Sequence, residues 1–351
     1  MTTLPQLLDQ VQSAISDATP LCIVGGNSKR HLGREPVGKA IDVGNYTGVV
    51  EYQPAELVVT VRAGTAVSEL QGILAQKKQF LACDPPELDG KATVGGALAC
   101  NQSGPSRPWY GSIRDHVLGV RLINGKGEHL RFGGQVMKNV AGYDVSRLQA
   151  GAMGTYGLLT EVSLKVSPMP ESSITVRRQI DASDAIRVMN EISMTPAPLT
   201  GACWYNGETY LRLSGPTTAI EAAAAGLEGE LLDDSDPFWT ALRDQCSPFF
   251  ETAQDLWRFS VRSNCAHTKP QNDWLIDWGG AQRWLAGQHD RDELGRSAVD
   301  SGGEVTRYRG GERSADVLPS LAASKRAVLL RMKQAFDPAG VFNPGRLYSW
   351  M

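Results

Sequence analysis

Near the start of the chain, Leu4, Leu7, Leu8, Val11 and Ile15 recur at helical spacing, which predicts an amphipathic helix docked by one face. Residues 21–27 (LCIVGGN) then read as a short apolar strand breaking into a glycine pair. Residues 48–63 predict two strands joined around Pro54, and 65–78 a helix with Val67, Leu70 and Leu74 on one face. A hairpin is expected from 117–124 and 128–132 across Gly125-Lys126-Gly127, and residues 157–166 (GLLTEVSLKV) read as another strand. From about Pro168 the texture changes. A strand at 173–180, a helix at 182–192, a hairpin (201–205, 209–213) across Asn206-Gly207 and an alanine-rich helix at 217–226 follow in order. That β-α-β-β-α order predicts a separate α+β unit with an antiparallel sheet. Further strands are expected at 256–261, 274–278 and 304–308, and a helix at 290–301. A closing helix at 315–336 would place Leu321, Val328, Leu329, Met332 and Phe336 on one face.

Between these elements lie loops with chemical content. Gly25 and Gly26 follow the first strand and expose backbone N–H groups, while Asn27, Ser28 and Lys29 add polar groups and a charge. Such a turn suits a diphosphate. It is not a dinucleotide fingerprint of the GxGxxG kind, because the next segment (HLGREPVGKAIDV) reads as loop then strand rather than helix. Residues 33–40 (GREPVGKA) approach a P-loop, but Ala40 lacks the magnesium-binding hydroxyl and Pro36 removes a cradling N–H. Three glycine- or proline-rich loops follow within thirty residues: Asp84-Pro85-Pro86, Thr93-Val94-Gly95-Gly96, and 101–111 (NQSGPSRPWYG). Loops this dense tend to carry binding function. Residues 139–161 hold four glycines (Gly142, Gly151, Gly154, Gly157), which a backbone needs where a large ligand lies against it. The tail 341–346 (VFNPGR) is rich in turn residues.

Composition narrows the classes. The 351 residues, 42% of them hydrophobic, suffice for a full core and predict two domains. A net charge of −3 argues against nucleic-acid binding, and no apolar run is long enough to span a bilayer. The N-terminus lacks the basic and apolar regions of an export signal, so a cytoplasmic location is expected. The six cysteines and five histidines are scattered, which predicts reduced thiols and neither a metal site nor a cluster held by this chain alone.

Taken in order, GGNSK after a strand, TVGG, WYGSIRD, NVAGYDVSRL, GTYGLLTEV and FDPAGVFNPGR resemble the FAD-binding oxidoreductases of the vanillyl-alcohol oxidase (PCMH) type. The likeness covers about residues 1–170 and the last fifteen or so. With LWRFSVR, DWLIDWGGAQRW and GGEVTRY, the whole chain is most similar to FAD-binding subunits of bacterial glycolate oxidases (glycolate dehydrogenases). The resemblance implies an α+β protein: a two-subdomain FAD-binding domain at 1–170, an α+β cap with an antiparallel sheet at 171–315, and a helix and tail at 316–351 returning to the flavin domain. It implies that Gly25, Gly26, Asn27 and Ser28 wrap the diphosphate. Pro85, Pro86, Thr93, Gly95 and Gly96 would line the flavin and its ribityl chain, with Tyr110 and Gly111 in the same wall. Gly157, Leu158 and Thr160 would contact the adenine half, and Asn343 would return toward the flavin ring.

Departures from the family pattern shape the functional expectation. Where some members attach FAD through a histidine of the first loop, this chain has Asn27, with His31 four residues on, so non-covalent FAD is expected. The histidine-rich HxGDGNxH-like segment of related 2-hydroxy-acid dehydrogenases is not matched. Arg258, Arg262 and Arg307 could clamp a carboxylate substrate or be ordinary surface arginines. No catalytic residue is assigned. The resemblance thus implies a subunit accessory to a catalytic flavoprotein subunit and an iron–sulfur subunit, oxidising a small 2-hydroxy acid, glycolate, to glyoxylate. Any membrane association would run through those partners. The alternatives are a self-sufficient dehydrogenase for another 2-hydroxy acid such as D-lactate, and a scaffold that has lost its flavin.

Overall fold

The computed structural model describes residues 2–134, 144–232, 235–267 and 273–351. Of the glycine-rich stretch 139–161, the part up to residue 143, Gly142 included, therefore lies outside the described residues, whereas Gly151, Gly154 and Gly157 lie within them. The chain forms two units: Met1–Ser103, Ser112–Pro168 and Glu312–Met351 make unit 1, and Gly104–Gly111 with Met169–Gly311 make unit 2. The overall class is α+β, with its two large sheets antiparallel.

Unit 1 opens with α1 (Leu4–Ser16), whose first turn is closed by a capping box: the Thr3 hydroxyl accepts from the Gln6 N–H, and the Gln6 side chain accepts from the Thr3 N–H. Leu7, Val11 and Ala14 are its buried stripe. Strand β1 (Leu21–Val24) pairs in parallel with β2 (Lys39–Asp42). The five-stranded antiparallel sheet contains β3 (Val49–Gln53), β4 (Val58–Arg62), β5 (Val117–Ile123), β6 (His129–Gly133) and β7 (Leu158–Lys165), in the spatial order β3-β4-β7-β5-β6. Between β4 and β5 run α2 (Val67–Ala75) and α3 (Val94–Ala99). Val59, Val61, Leu122, Val162 and Leu164 pack against Leu70, Leu74 and Leu98 to form the main core. A second cluster joins Leu7 and Val11 to Ile41, Ile123, Leu158 and Phe342.

The β5–β6 turn shows how local sequence sets register. The Asn124 side-chain oxygen accepts from the Lys126 and Glu128 N–H groups (3.0 Å each), and Gly127 takes φ +76°.

The C-terminal segment is a structural member of unit 1 and does not fray. Leu21 N–H donates to the Val341 carbonyl (2.7 Å), Asn343 N–H donates to the Leu21 carbonyl (2.9 Å), and Phe342 bridges Leu21 in parallel. The tail thus extends the β1–β2 sheet on the other side of β1. It is held by a buried ion pair. Lys333 Nζ donates to Asp337 Oδ2 (2.7 Å) and to the carbonyls of Thr155 and Phe342 (2.8 Å each), which uses all three of its protons. The Asp337 carboxylate also accepts from the N–H groups of Val341 (3.1 Å) and Phe342 (2.8 Å).

The closing helix runs over Ala323–Phe336 and starts eight residues later than the periodicity predicts. Pro319 explains the delay: it lacks an N–H and biases its predecessor away from helix. Leu321, Leu329, Met332 and Phe336 do pack inward, but Val328 is 43% exposed and faces away.

Unit 2 is built on one eight-stranded sheet, formed by β8 (Ser172–Gln179), β9 (Leu199–Tyr205), β10 (Glu208–Gly215), β11 (Glu230–Leu232), β12 (Leu256–Ser260), β13 (Trp274–Asp277), β14 (Gln282–Ala286) and β15 (Glu304–Arg309). The spatial order is β11-β8-β10-β9-β13-β14-β12-β15, antiparallel throughout. Helix α4 (Ala182–Ser193), N-capped by Asp181, sets Ile186 and Met189 against Trp204, Leu211 and Leu213. A second cluster gathers Trp257, Phe259, Trp274 and Leu294. Strand β14 has no counterpart in the hydrophobic pattern because two of its buried residues are Gln282 and Arg283. The Arg283 guanidinium is satisfied by the carbonyls of Gly280 (3.1 Å), Ala266 (3.2 Å) and Cys265 (2.6 Å). The segment 104–111, expected with the flavin region, belongs to unit 2, where Trp278 Nε1 donates to the Gly104 carbonyl (3.0 Å).

Replacing Lys333 with Met leaves the Asp337 carboxylate buried without its cation, and should cost about 3–5 kcal/mol of stability in urea unfolding of the full chain. Gly72→Ala, in the middle of α2 with open space where its Cβ would lie, should instead gain about 0.5–1 kcal/mol and serves as the control.

Candidate functional site

A cleft of about 890 Å³, counting the space open to solvent, lies in unit 1. Its floor and walls come from the end of β1 and the following turn, the start of α3, the loop before β7, and the C-terminal tail. Among the expected cofactor residues, Gly25, Gly26, Asn27, Ser28, Thr93, Gly95, Gly96, Gly157 and Asn343 line it together.

The turn after β1 is the chemically open part. Among the described residues, the backbone N–H groups of Gly26, Asn27 and Ser28 donate to no protein acceptor, and Asn27 sits in the left-handed region at φ +56°. A run of uncommitted donors beside a cleft is an anion cradle. Gly26 is required by space: a Cβ there would lie 1.5 Å from the Lys91 carbonyl oxygen.

The TVGG segment, read from sequence as a loop, is the first turn of α3. Thr93 is its N-cap, its hydroxyl accepting from the Gly96 N–H (3.2 Å). The N–H groups of Val94 and Gly95 are committed to the carbonyls of Thr65 and Ala63 (2.9 Å each). What this wall offers a ligand is a surface without side chains rather than a set of donors. Asn343 likewise lines the cleft with its carboxamide already engaged: Oδ1 accepts from the Ile23 N–H (2.8 Å), and Nδ2 donates to the Met153 carbonyl. It ties the tail, β1 and the glycine loop together.

Six expected positions stand elsewhere. Pro85 and Pro86 are buried in unit 1 outside the cleft lining. Tyr110 and Gly111 belong to unit 2, where Tyr110 is half-buried and burial pushes its hydroxyl pKa up. Leu158 is fully buried in the cluster with Leu7 and Phe342. Thr160 is also fully buried, its hydroxyl paired with His129 Nε2 (2.9 Å). In β7 it is Leu159 that joins Gly157 in the lining, since alternate residues of a strand share a face. Strand alternation starting from Gly157 would have found it.

Lys29, whose charge was read with the diphosphate turn, and Gly154, one of the glycines read as making room for a ligand, line the cleft, as do Arg30, Cys100 and Arg346, which sequence reasoning passed over. Among the described residues, the lining holds three cations and no carboxylate. Arg346 is largely buried and donates to the carbonyls of Arg34 and Arg30. Burial pulls the Lys29 ammonium below its usual pKa, with Cys100 opposing. Burial pushes the Cys100 thiol up, while Lys29 and Arg346 pull it back.

A family model described as an FAD binding domain matches residues 2–133. The glycolate oxidase subunit GlcE of Escherichia coli K12 is 44% identical over 343 residues, covering 98% of this chain and 97% of that protein. The chain belongs to the GlcE family. Within it the cofactor is FAD and the wider class is that of FAD-linked hydroxy-acid oxidoreductases. Glycolate oxidase subunit GlcD of Bacillus subtilis is a more distant relative, 25% identical over 372 residues, covering 86% of this chain and 77% of that one. A solved alkyldihydroxyacetonephosphate synthase shares the fold, with a TM-score of 0.66 at 16% identity over 97% of this chain and 74% of that one.

The residues present suit such a dinucleotide: free backbone donors and cations for its phosphates, and glycine surfaces for its flat parts. Among the described residues no histidine lines the cleft, and His31 lies outside its lining. In unit 2, Arg258 stacks over Tyr308 (5.5 Å), Arg307 stacks over Trp257 (4.5 Å), and Arg262 packs at Gly302. Arg258 and Arg307 are thus part of the packing of unit 2, whereas Arg262 is an exposed surface group.

Gly26→Ala would drive its methyl into a backbone carbonyl, which a flexible side chain cannot relieve. Purified G26A should carry at most about a tenth of the flavin of the parent chain, read as the ratio of 450 to 280 nm absorbance.

Proposed function

We propose that this chain is the FAD-binding subunit of a multi-subunit oxidase that converts glycolate to glyoxylate. It holds FAD non-covalently, beside a catalytic flavoprotein subunit and an iron–sulfur subunit. The observation that carries the cofactor part is the cleft itself: among the described residues, consecutive uncommitted N–H groups at Gly26, Asn27 and Ser28, next to three cations, with no carboxylate in the lining. The substrate and the complex rest on likeness to the protein named glycolate oxidase subunit GlcE, which spans nearly the whole of both chains.

In this reading the turn after β1 holds the diphosphate through backbone donors. Gly95, Gly96 and Gly157 let the cofactor approach the wall closely, and Asn343 keeps that wall in register by bridging β1 and the glycine loop. Bound FAD supplies the two-electron oxidation of the hydroxyl-bearing carbon. What this chain's residues contribute is binding and orientation. Among the described residues, no side chain in the cleft is a carboxylate or an imidazole placed to remove a proton, which supports an accessory place beside a catalytic subunit. Among the described residues no helix is long and apolar enough to cross a membrane, so attachment to the inner face of the cytoplasmic membrane would come through partner subunits.

Two measurements test the reading. The isolated chain should be yellow, carry one FAD, and release it to the supernatant on acid precipitation. It should show little glycolate turnover with an artificial acceptor until its partner subunits are added. Co-purified complex should contain more than one flavin together with iron. Robust turnover by the chain alone would make it self-sufficient, and a folded, colourless chain unable to take up FAD would make it a scaffold.

A further inference from the structure

Lys29 stands apart from the other cations of the cleft. Its side chain is only 8% exposed, yet among the described residues its Nζ donates only to the Ser28 hydroxyl, at a long 3.4 Å, and to no carboxylate. Compare Lys333, equally buried, whose three protons meet a carboxylate and two carbonyls at 2.7–2.8 Å. Arg346, the other buried cation of the lining, has its guanidinium placed on the carbonyls of Arg34 and Arg30. Among the described residues, the charged or titratable groups that share the lining with Lys29 are Cys22 from β1, Cys100 from the end of α3, Arg346 from the tail, and Arg30 beside it in sequence. None supplies a fixed negative charge. A buried ammonium without a counter-ion is costly, and a protein keeps one where an anion arrives to meet it.

We propose that Lys29 is the counter-ion of the cofactor's diphosphate, and that the cleft stays electrostatically incomplete until that anion enters. The same side chain weakens the empty unit and strengthens the loaded one. Lys29 is thus a binding residue that couples the stability of unit 1 to FAD loading. The inference rests on the FAD reading above and assigns a task that backbone donors cannot perform, since they bind an anion without neutralising it.

The test uses the full chain stripped of flavin, with Lys29→Met and Lys29→Arg, titrated with FAD and separately with riboflavin, which has the ring but no phosphates. Lys29→Met should weaken FAD about ten- to a hundredfold, the range for losing a charged hydrogen-bond partner. Its riboflavin affinity should be unchanged, and Lys29→Arg should recover most of the FAD affinity. The apo form of Lys29→Met should melt above apo wild type, while the rise in melting temperature on adding FAD should be smaller than in wild type. Unchanged FAD affinity in Lys29→Met, or an equal loss for riboflavin, would overturn the assignment. So would a Lys29→Met chain that fails to fold where apo wild type folds, because the charge would then support the empty cleft rather than burden it. Failure of wild type to take up FAD would instead sink the cofactor reading, so the two failures are distinguishable.

Discussion

The Lys333–Asp337 pair is the constraint on which the geometry of unit 1 depends. Two opposite charges are buried together, and each has its remaining hydrogen-bonding capacity met by backbone groups of Thr155, Val341 and Phe342. Burial alone pulls the Lys333 ammonium below its usual pKa, and Asp337 works against that. A pair so placed adds little net stability over a hydrophobic equivalent, but it permits one arrangement only. Here that arrangement docks the tail alongside β1. Asn343 and Arg346, some three hundred residues along the chain from the turn after β1, are thereby brought to its wall. The turn at Gly125 packs directly on Asp337, which leaves no room for a side chain there.

The cleft divides its labour between backbone and charge. The turn after β1 offers directional donors, and α3 offers a surface stripped of side chains while spending its own N–H groups on the carbonyls of Ala63 and Thr65. The charged lining is all of one sign. The two buried cations differ in what they face: Arg346 is anchored to protein carbonyls and shapes the wall, whereas Lys29 is left for something that the protein does not contain. Unit 2 shows the opposite habit. Several of its arginines are absorbed into stacks on tyrosine and tryptophan, as Arg258 on Tyr308, Arg307 on Trp257 and Arg212 on Trp239.

By itself the sequence determined the order and type of most elements, because helical and strand periodicity are local properties read from neighbours in the chain. It determined the hairpin at Asn124, where one side chain writes the turn, and the change of texture near Pro168. The ordered motifs were enough to place the chain in its family. Tertiary structure decided what periodicity cannot encode. Strand β14 buries Gln282 and Arg283 because distant carbonyls satisfy the guanidinium. In the closing helix, Leu329, Met332 and Phe336 pack inward while Val328 is left exposed. Gly157 and, in β7, Leu159 line the cleft while Leu158 and Thr160 do not; alternation relates these positions to one another, but which of the two faces meets the cleft was decided when the strand took its place between β4 and β5. The glycine-rich segment before that strand, suggestive but ambiguous as sequence, becomes a wall once Asn343 is tied to Met153 and Ile23. Residues that hold a ligand are chosen by their distance from one another in space, and for this cleft that distance is set by a tail some three hundred residues from the turn it faces.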